Sequence, residues 1–390
     1  MLPSFITASA ALLSLAGLSQ ASPQFGQSST SSIATATRVS SSTASSVSQA
    51  AAATGTTACN NSPDLCNRNY NNITHMGAHD SAFLRDQSTS FTVAGNQFYN
   101  ATVALSAGIR LLQAQVHNQN GVLELCHTSC VLLDGGSLET FLSAIKAWMD
   151  ANPNEVVTLL LVNSDDEDAS TFGSVFNSTG ISTYGYTPTS TTGPVATWPT
   201  LQTLITANTR LVTFIASITY DSSYPFLLPE FDFVFETAFG VTSTDGFNCT
   251  LSRPTSLDSS ASAISAGYMG LLNHFLDTTG LISEPAIDNI TTTNAASTST
   301  TGSLGAQGEE CASEWGTKPT FMLVDFFNVG PAMDTADQLN GITATGRTTV
   351  STAELTASTT GAATQMVAAG GFRVAAVAMG VLALGNFVWL

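Results

Sequence analysis

Eight largely apolar runs of strand length, set between stretches of helical spacing, leave this chain few folds to choose from. The runs are 73–76, 109–116, 122–126, 156–162, 211–216, 233–237, 268–272 and 321–327. A strand with one wet face alternates apolar and polar residues. A continuous run belongs to a strand covered on both faces, as in a parallel sheet packed under helices. Between the third and fourth runs, Leu138, Phe141, Leu142, Ile145 and Trp148 fall at helical spacing. They follow Gly135-Gly136-Ser137 and stop before Pro153, which predicts a strand–helix–strand unit. The number of runs fits an α/β fold of the TIM-like (β/α)8 barrel type, with allowance for distortion. A doubly wound open sheet is the alternative, but no strand-to-helix junction carries a G-x-G-x-x-G or Walker sequence.

Both ends of the chain read as processing signals, to be set aside before the fold is argued. Residues 6–18 are an apolar run closed by Ser19-Gln20-Ala21, a small-x-small cleavage pattern, so 1–21 is expected to be a signal peptide. Residues 374–390 are an uncharged apolar tail preceded by a spacer and by the small residues Gly361-Ala362-Ala363. That is the pattern of a glycosylphosphatidylinositol (GPI) anchor signal, with Gly361 as the attachment residue and 362–390 removed. A single transmembrane anchor is disfavoured, because 17 residues are short for a span and no basic flank follows. Residues 22–58 are rich in Ser, Thr and Ala with almost no aromatic residues, which predicts a disordered stalk. A similar stretch at 291–303 is expected to be a surface insertion, and 341–361 a linker to the anchor. The folded domain is then 59–340, secreted, displayed at the cell surface or wall, and monomeric.

Secretion gives the remaining composition a meaning. Asn60, Asn72, Asn100, Asn177, Asn248 and Asn289 all head N-x-Ser/Thr sequons and are candidate glycosylation sites. Six cysteines in an oxidising compartment suggest three disulfides. Of the fifteen pairings that six cysteines allow, sequence proximity favours Cys59–Cys66, Cys126–Cys130 and Cys249–Cys311. Zinc is disfavoured, since Cys126 and Cys130 have no second pair at ligand spacing. Ten Lys plus Arg against 28 Asp plus Glu give a net charge of −18. A polyanion would meet an opposing field, which excludes nucleic acid as a partner class.

In a barrel the chemistry lies at the C-terminal ends of the strands. His79 and Asp80 follow the first run, His127 ends the third, and Asp325 and Asn328 end the last. Two imidazoles facing one pocket can divide general-base and general-acid work, and a carboxylate beside one of them, Asp80 or Asp325, would fix its tautomer and stabilise its cation. Gln113 and Gln115 share one face of the second run by period-two alternation, with Arg110 on the other. With Asn328 these glutamines are candidate substrate contacts. The consecutive acids Asp165, Asp166, Glu167 and Asp168 read as a solvated loop, because metal ligands must converge. His75, His117 and His274 read as satisfied polar residues, and Tyr268, Phe275 and Trp315 as core.

Five segments, spread in order over 69–328, carry a resemblance. They are Gly77-Ala78-His79-Asp80-Ser81, Gly108-Ile109-Arg110-Leu111-Leu112, Leu125-Cys126-His127, Asn152-Pro153-Asn154-Glu155-Val156-Val157 and Val324-Asp325-Phe326-Phe327-Asn328. Together they resemble the secreted fungal branch of the phosphatidylinositol-specific phospholipase C X-domain-like phosphodiesterases. The resemblance implies a TIM-like barrel that cleaves a phosphodiester by attack of a substrate hydroxyl on phosphorus. His79 would match the general base, His127 the general acid, and Asp80 and Asp325 their supporting carboxylates. It also exposes a departure: active bacterial relatives carry an acidic residue and then an arginine on the second strand, and calcium-dependent ones carry carboxylates there, where this chain has Gln113-Ala114-Gln115. No cofactor is expected; calcium is left open without a clear ligand set. Two function classes follow. One is a surface phosphodiesterase acting on an inositol phospholipid, a GPI or another phosphodiester. The other is a catalytically lapsed barrel serving as a glycan- or lipid-binding or structural wall protein.

Overall fold

The computed structural model describes residues 57–279 and 283–356; the expected signal peptide, nearly all of the stalk, Gly361 and the anchor signal lie outside them. The strands are β1 (His75–Ala78), β2 (Leu111–Gln119), β3 (Val122–Cys126), β4 (Asp134–Ser137), β5 (Val157–Asn163), β6 (Leu211–Ala216), β7 (Leu227–Pro229), β8 (Val234–Glu236), β9 (Met269–Asn273) and β10 (Phe321–Val324). The helices are α1 (Ala101–Ala107), α2 (Leu138–Ala151), α3 (Ala169–Ser178), α4 (Leu201–Thr206), α5 (Ser260–Ala266), α6 (Ile290–Thr293), α7 (Leu304–Trp315) and α8 (Ala332–Asn340). Eight strands pair in parallel in the order β7-β6-β5-β2-β1-β10-β9-β8. This is chain order around a TIM-like barrel that is left open between β7 and β8, where the turn Glu230–Asp232 makes the connection.

Alternation within the strands sorts the side chains into two cores. Leu111, Leu160, Phe214, Leu271 and Phe321 face a common interior. Their neighbours Leu112, Leu159, Leu161, Leu272 and Met322 face the outer layer with Leu142, Ile145 and Met149 of α2 and Trp315 of α7. Tyr70 and Trp198, ring centres 5.2 Å apart, close the N-terminal end, where the Tyr70 hydroxyl lies 2.6 Å from Thr158 Oγ1. At Gly77 a Cβ would lie 2.7 and 2.8 Å from the Leu323 and Leu111 methyls, so any larger residue there would force these side chains to shift.

The eight apolar runs and the eight staves are not the same set. The run 122–126 pairs antiparallel with β2 and β4, off the barrel path. Its place as a stave is taken by β7, three residues ending in Pro229. The predicted helix at 138–148 is α2, capped by Ser137 Oγ accepting from Thr140 N at 3.2 Å. All three disulfides form with the pairing that proximity favoured. The stretch 291–303 is not simply a surface insertion, since Thr293, Asn294 and Ser303 are buried. Residues 343–356 lie along the barrel, with Thr345 and Thr348 donating backbone hydrogen bonds to Asn61 and Ser106 and Arg347 paired with Asp337. Among the described residues, no helix is long and apolar enough to cross a membrane.

Candidate active site

Inward positions of the strands, continued past their C-terminal ends, assemble the site. His79 follows His75 and Gly77 along β1, Asp325 follows Phe321 and Leu323 along β10, and Phe275 follows Leu271 and Asn273 along β9. His79 Nδ1 lies 2.8 Å from Asp325 Oδ1, and Asn96 Nδ2 donates to the same oxygen at 3.1 Å. Since the carboxylate only accepts, His79 carries a proton on Nδ1 and turns Nε2 to the pocket. Asp80 stands between the two imidazoles. Its Oδ2 is 3.6 Å from His79 Nε2 and 3.3 Å from His127 Nε2. The Phe275 ring stacks on His79 at 3.6 Å and 6°, and Phe83 packs on His127 with ring centres 5.2 Å apart.

The glutamines expected to touch substrate are engaged with Asp80. Gln115 Nε2 donates to Asp80 Oδ2 at 2.9 Å while its Oε1 accepts from Thr128 N at 3.0 Å. Gln113 Oε1 accepts from Asp80 N at 2.6 Å. Asp80 is in the left-handed region, φ 44°, and so is Phe326 behind Asp325, also φ 44°. Non-glycine residues held there mark strain that the surroundings must fix. The Gln113 bond does this for Asp80, and Asn294 Nδ2, donating to the carbonyls of Asp325, Phe326 and Val329, does it for Phe326.

Charge is balanced within this group. Burial alone would lower the His79 pKa, but Asp80 and Asp325, with Asp277 behind them, outweigh it and push it up to about 9. Burial would raise Asp80, but His79, His127 and Gln115 hold it below the usual carboxylate range. Burial, and then Asp325, push Asp277 up. Asp80 Oδ1, Asp325 Oδ2 and His127 Nδ1 are buried without hydrogen-bond partners.

Other predicted residues fall elsewhere. Asn328, expected at the substrate, donates from Nδ2 to the carbonyls of Ser351 and Ala353 at 2.9 and 3.2 Å. Asn60 cannot take a glycan in the fold: it is 5% exposed, and its amide bonds Val156 at both ends. Asn72, Asn100, Asn177, Asn248 and Asn289 are not enclosed in this way. Arg110 points away from the pocket, bonded to Glu155 and Asn61. His75 and His274 are satisfied core residues, each pushed down to about 4 by burial. Sequence spacing alone missed Asn96, Phe275 and Gln97. The Gln97 amide donates to the carbonyls of His79 and Val324 and accepts from Phe327 N, tying β1 to β10. Only Phe275 carried a signal, its even spacing from the inward Leu271. Among the described residues, no three His, Cys, Asp or Glu side chains lie close enough to hold a metal ion.

This arrangement of two imidazoles and two carboxylates at strand ends coincides with a family match: the PI-PLC X 1 model covers residues 65–340. The chain belongs to the PI-PLC X family. A PI-PLC X domain-containing protein 1 from Arthroderma benhamiae is 38% identical over 287 residues, 73% of this chain and 90% of that one. An uncharacterized secreted protein of the same organism is 35% identical over 301 residues, 75% of this chain and 66% of that one. Among solved structures, the phosphatidylinositol-specific phospholipase C from Listeria monocytogenes superposes with a TM-score of 0.45 at 14% identity, over 71% of this chain and 94% of that one.

The PI-PLC X barrel has a second feature on the same rim. A cleft of about 530 Å³ opens where β5, β6 and β7 end, lined by Asp166, Glu167, Asp168, Glu230, Phe231 and Asp232 among others. The acidic run after β5, read as a solvated loop, thus forms one wall of it. Asp165 turns aside to His117 at 3.3 Å.

Proposed function

We propose that the protein is a surface phosphodiesterase of the phospholipase C type, in which His79 and His127 act as base and acid on a phosphodiester with a neighbouring hydroxyl. The observation that carries this reading is Asp80 shared between the two imidazoles while Asp325 holds the far nitrogen of His79. In the step, neutral His79 takes the substrate hydroxyl proton at Nε2 and the oxygen attacks phosphorus. The bond to the leaving oxygen breaks, and that oxygen takes a proton from His127. The products are a cyclic phosphodiester and an alcohol. Asp80 and Asp325 stabilise the imidazolium formed on His79.

His79 also bears on the missing arginine. With its pKa near 9 it is an imidazolium at neutral pH, so a phosphate entering the pocket meets a cation although positions 113 and 115 supply none. About one molecule in a hundred then has His79 neutral at pH 7, which costs rate but leaves the step open. Secretion is supported by the 35% identical relative named as a secreted protein, and membrane attachment at Gly361 by the small triplet, spacer and terminal tail. The purified chain should turn over at least one of phosphatidylinositol, a GPI and an aryl phosphodiester. His79→Ala and His127→Ala should each remove most of that turnover, and the double variant little more, because the pair acts as a unit. No turnover above the double variant on any of the three would leave the lapsed-barrel reading.

A further inference from the structure

After α8 the chain turns back along the barrel as a strap, residues 342–355, beyond the residues 65–340 of the family match. Its lower end is fixed at the N-terminal side of the barrel. Ile342 packs on the core that Tyr70 and Trp198 close, Thr345 N donates to Asn61 O at 2.7 Å, and Asn61 Nδ2 donates to Thr345 O at 3.1 Å. Midway, Arg347 lies over Gly108 and pairs with Asp337 through two bonds of 2.7 Å. The upper end reaches the catalytic rim, where Asn328 Nδ2 donates to the carbonyls of both Ser351 and Ala353. Carbonyls only accept, so the strap decides which way this amide turns, and its Oδ1 is left buried without a partner. Leu355 then packs on a small apolar cluster of Phe98, Ile290, Phe326 and Val329.

That cluster backs Asp325. Phe326 follows it in the chain, is held at φ 44°, and packs on Phe98 with ring centres 4.5 Å apart. Phe98 ends the loop whose Asn96 donates to Asp325 and whose Gln97 ties β1 to β10. A left-handed residue of this kind persists only where its surroundings over-determine it. Asn294 holds the turn from one side, and the strap grips it from the other through Asn328 and Leu355. We propose that the strap is a positioning element: it keeps the turn from Asp325 to Asn328 closed and so keeps the Asp325 carboxylate on Nδ1 of His79. The proposal deepens the catalytic reading above and rests on it for any effect on rate, whereas the hold on His79 is testable without turnover. The charged groups facing His79 are Asp80 after β1, Asp277 after β9 and Asp325 after β10, with His127 across Asp80. Of these, Asp325 alone belongs to the turn that the strap grips.

The test makes Asn328→Ala and Leu355→Ala in the full chain and follows the His79 ring by NMR titration, with kcat, KM and Tm measured beside it. Each variant should move the His79 titration down by about half a unit or more, because Asp325 no longer sits firmly against Nδ1. Each should lower kcat about fivefold or more while KM changes less than about twofold, the split expected when a reacting group is displaced and the substrate's site is not. The double variant should do little more than either alone, since both residues grip one turn. Leu355→Met should restore both readouts. Ile205→Ala, at a half-buried residue of α4 away from the strap, should lower Tm and leave the titration where it is. A His79 titration unmoved by Asn328→Ala and Leu355→Ala, or moved equally by Ile205→Ala, would overturn the proposal and leave the strap a stability element. If the titration shifts as expected but the parent chain cleaves no phosphodiester, the catalytic reading fails and the positioning stands. If the parent chain cleaves and neither variant moves the titration, the catalytic reading stands and the positioning fails.

Discussion

At the scale of residues, the proton on His79 is the property most open to measurement. Against the pull of burial, three carboxylates raise its pKa from 6.5 to about 9. Whichever imidazole starts protonated, the rate profile must break where His79 titrates, so kcat/KM should show a break near pH 9. Asp325→Asn removes one of the charges and leaves Nδ1 facing a neutral amide in place of the carboxylate. It should move that break, and the NMR titration of the His79 ring, down by about one unit or more. A break that stays near 9 in this variant would show that His79 is not the titrating group. How far the site was legible follows from the same residues. His79, His127, Asp80 and Asp325 stand at strand ends inside recognisable segments, and the structure brings all four together. Asn96, Gln97 and Asn294 were not legible, because each acts through a loop that returns from a distant part of the chain, and a lone amide in a polar stretch has no pattern. Gln113 and Gln115 share the face expected of them and bond Asp80 there, Gln113 its backbone N–H and Gln115 its carboxylate.

At the scale of elements, the β2–β3 hairpin and the loop behind it decide where His127 sits. Apolar length alone makes 122–126 a barrel stave, although Asn120-Gly121 precedes it, a strong tight-turn signal for an antiparallel hairpin. Both residues have positive φ, 56° and 88°. The alternation around Glu124 said the same. By contrast β7, with three residues and a terminal proline, is too short to stand out from its surroundings, so a stave was lost where a false one was gained. The hairpin carries His127 over the pocket, and the Cys126–Cys130 disulfide closes a loop around it, with a Cα–Cα distance of 4.6 Å. Thr128, inside that loop, has φ 61° and gives its N–H to Gln115. A loop this short constrains the unfolded chain by only about 2 kcal/mol. Cys126→Ala with Cys130→Ala should therefore lower Tm modestly but lower kcat by about tenfold or more, because His127 loses its tether. Equal losses of kcat in this variant and in one lacking Cys59–Cys66 would mean that the bridge serves stability alone.

At the scale of the whole molecule, three imidazoles set opposing slopes of stability with pH. His79 binds its proton more tightly folded than unfolded, so its contribution is complete below pH 6.5 and is lost as pH rises through about 9. His75 and His274, pushed down to about 4, contribute fully above pH 6.5 and lose that contribution as pH falls toward 4. Each shift is on the order of 3 kcal/mol. Chemical denaturation should therefore find the stability maximum near pH 6.5, with the alkaline slope absent from His79→Gln; the same slope in that variant would place the cause elsewhere. Glu230 gives the last test, because it sits where the barrel is left open. It faces the interior beside Leu111, Leu160 and Phe214, and burial together with neighbouring Glu236 pushes its pKa well up. A carboxylic acid with an unpaired oxygen in apolar surroundings destabilises the fold, and an apolar side chain of similar volume removes both the unpaired atom and the repulsion from Glu236. Glu230→Met should then gain about 1–3 kcal/mol, or about 2–4 °C in Tm per kcal/mol for a chain of this size. A fall in Tm would mean instead that Glu230 holds the gap between β7 and β8 together, and that its unpaired oxygen reflects the way the barrel closes.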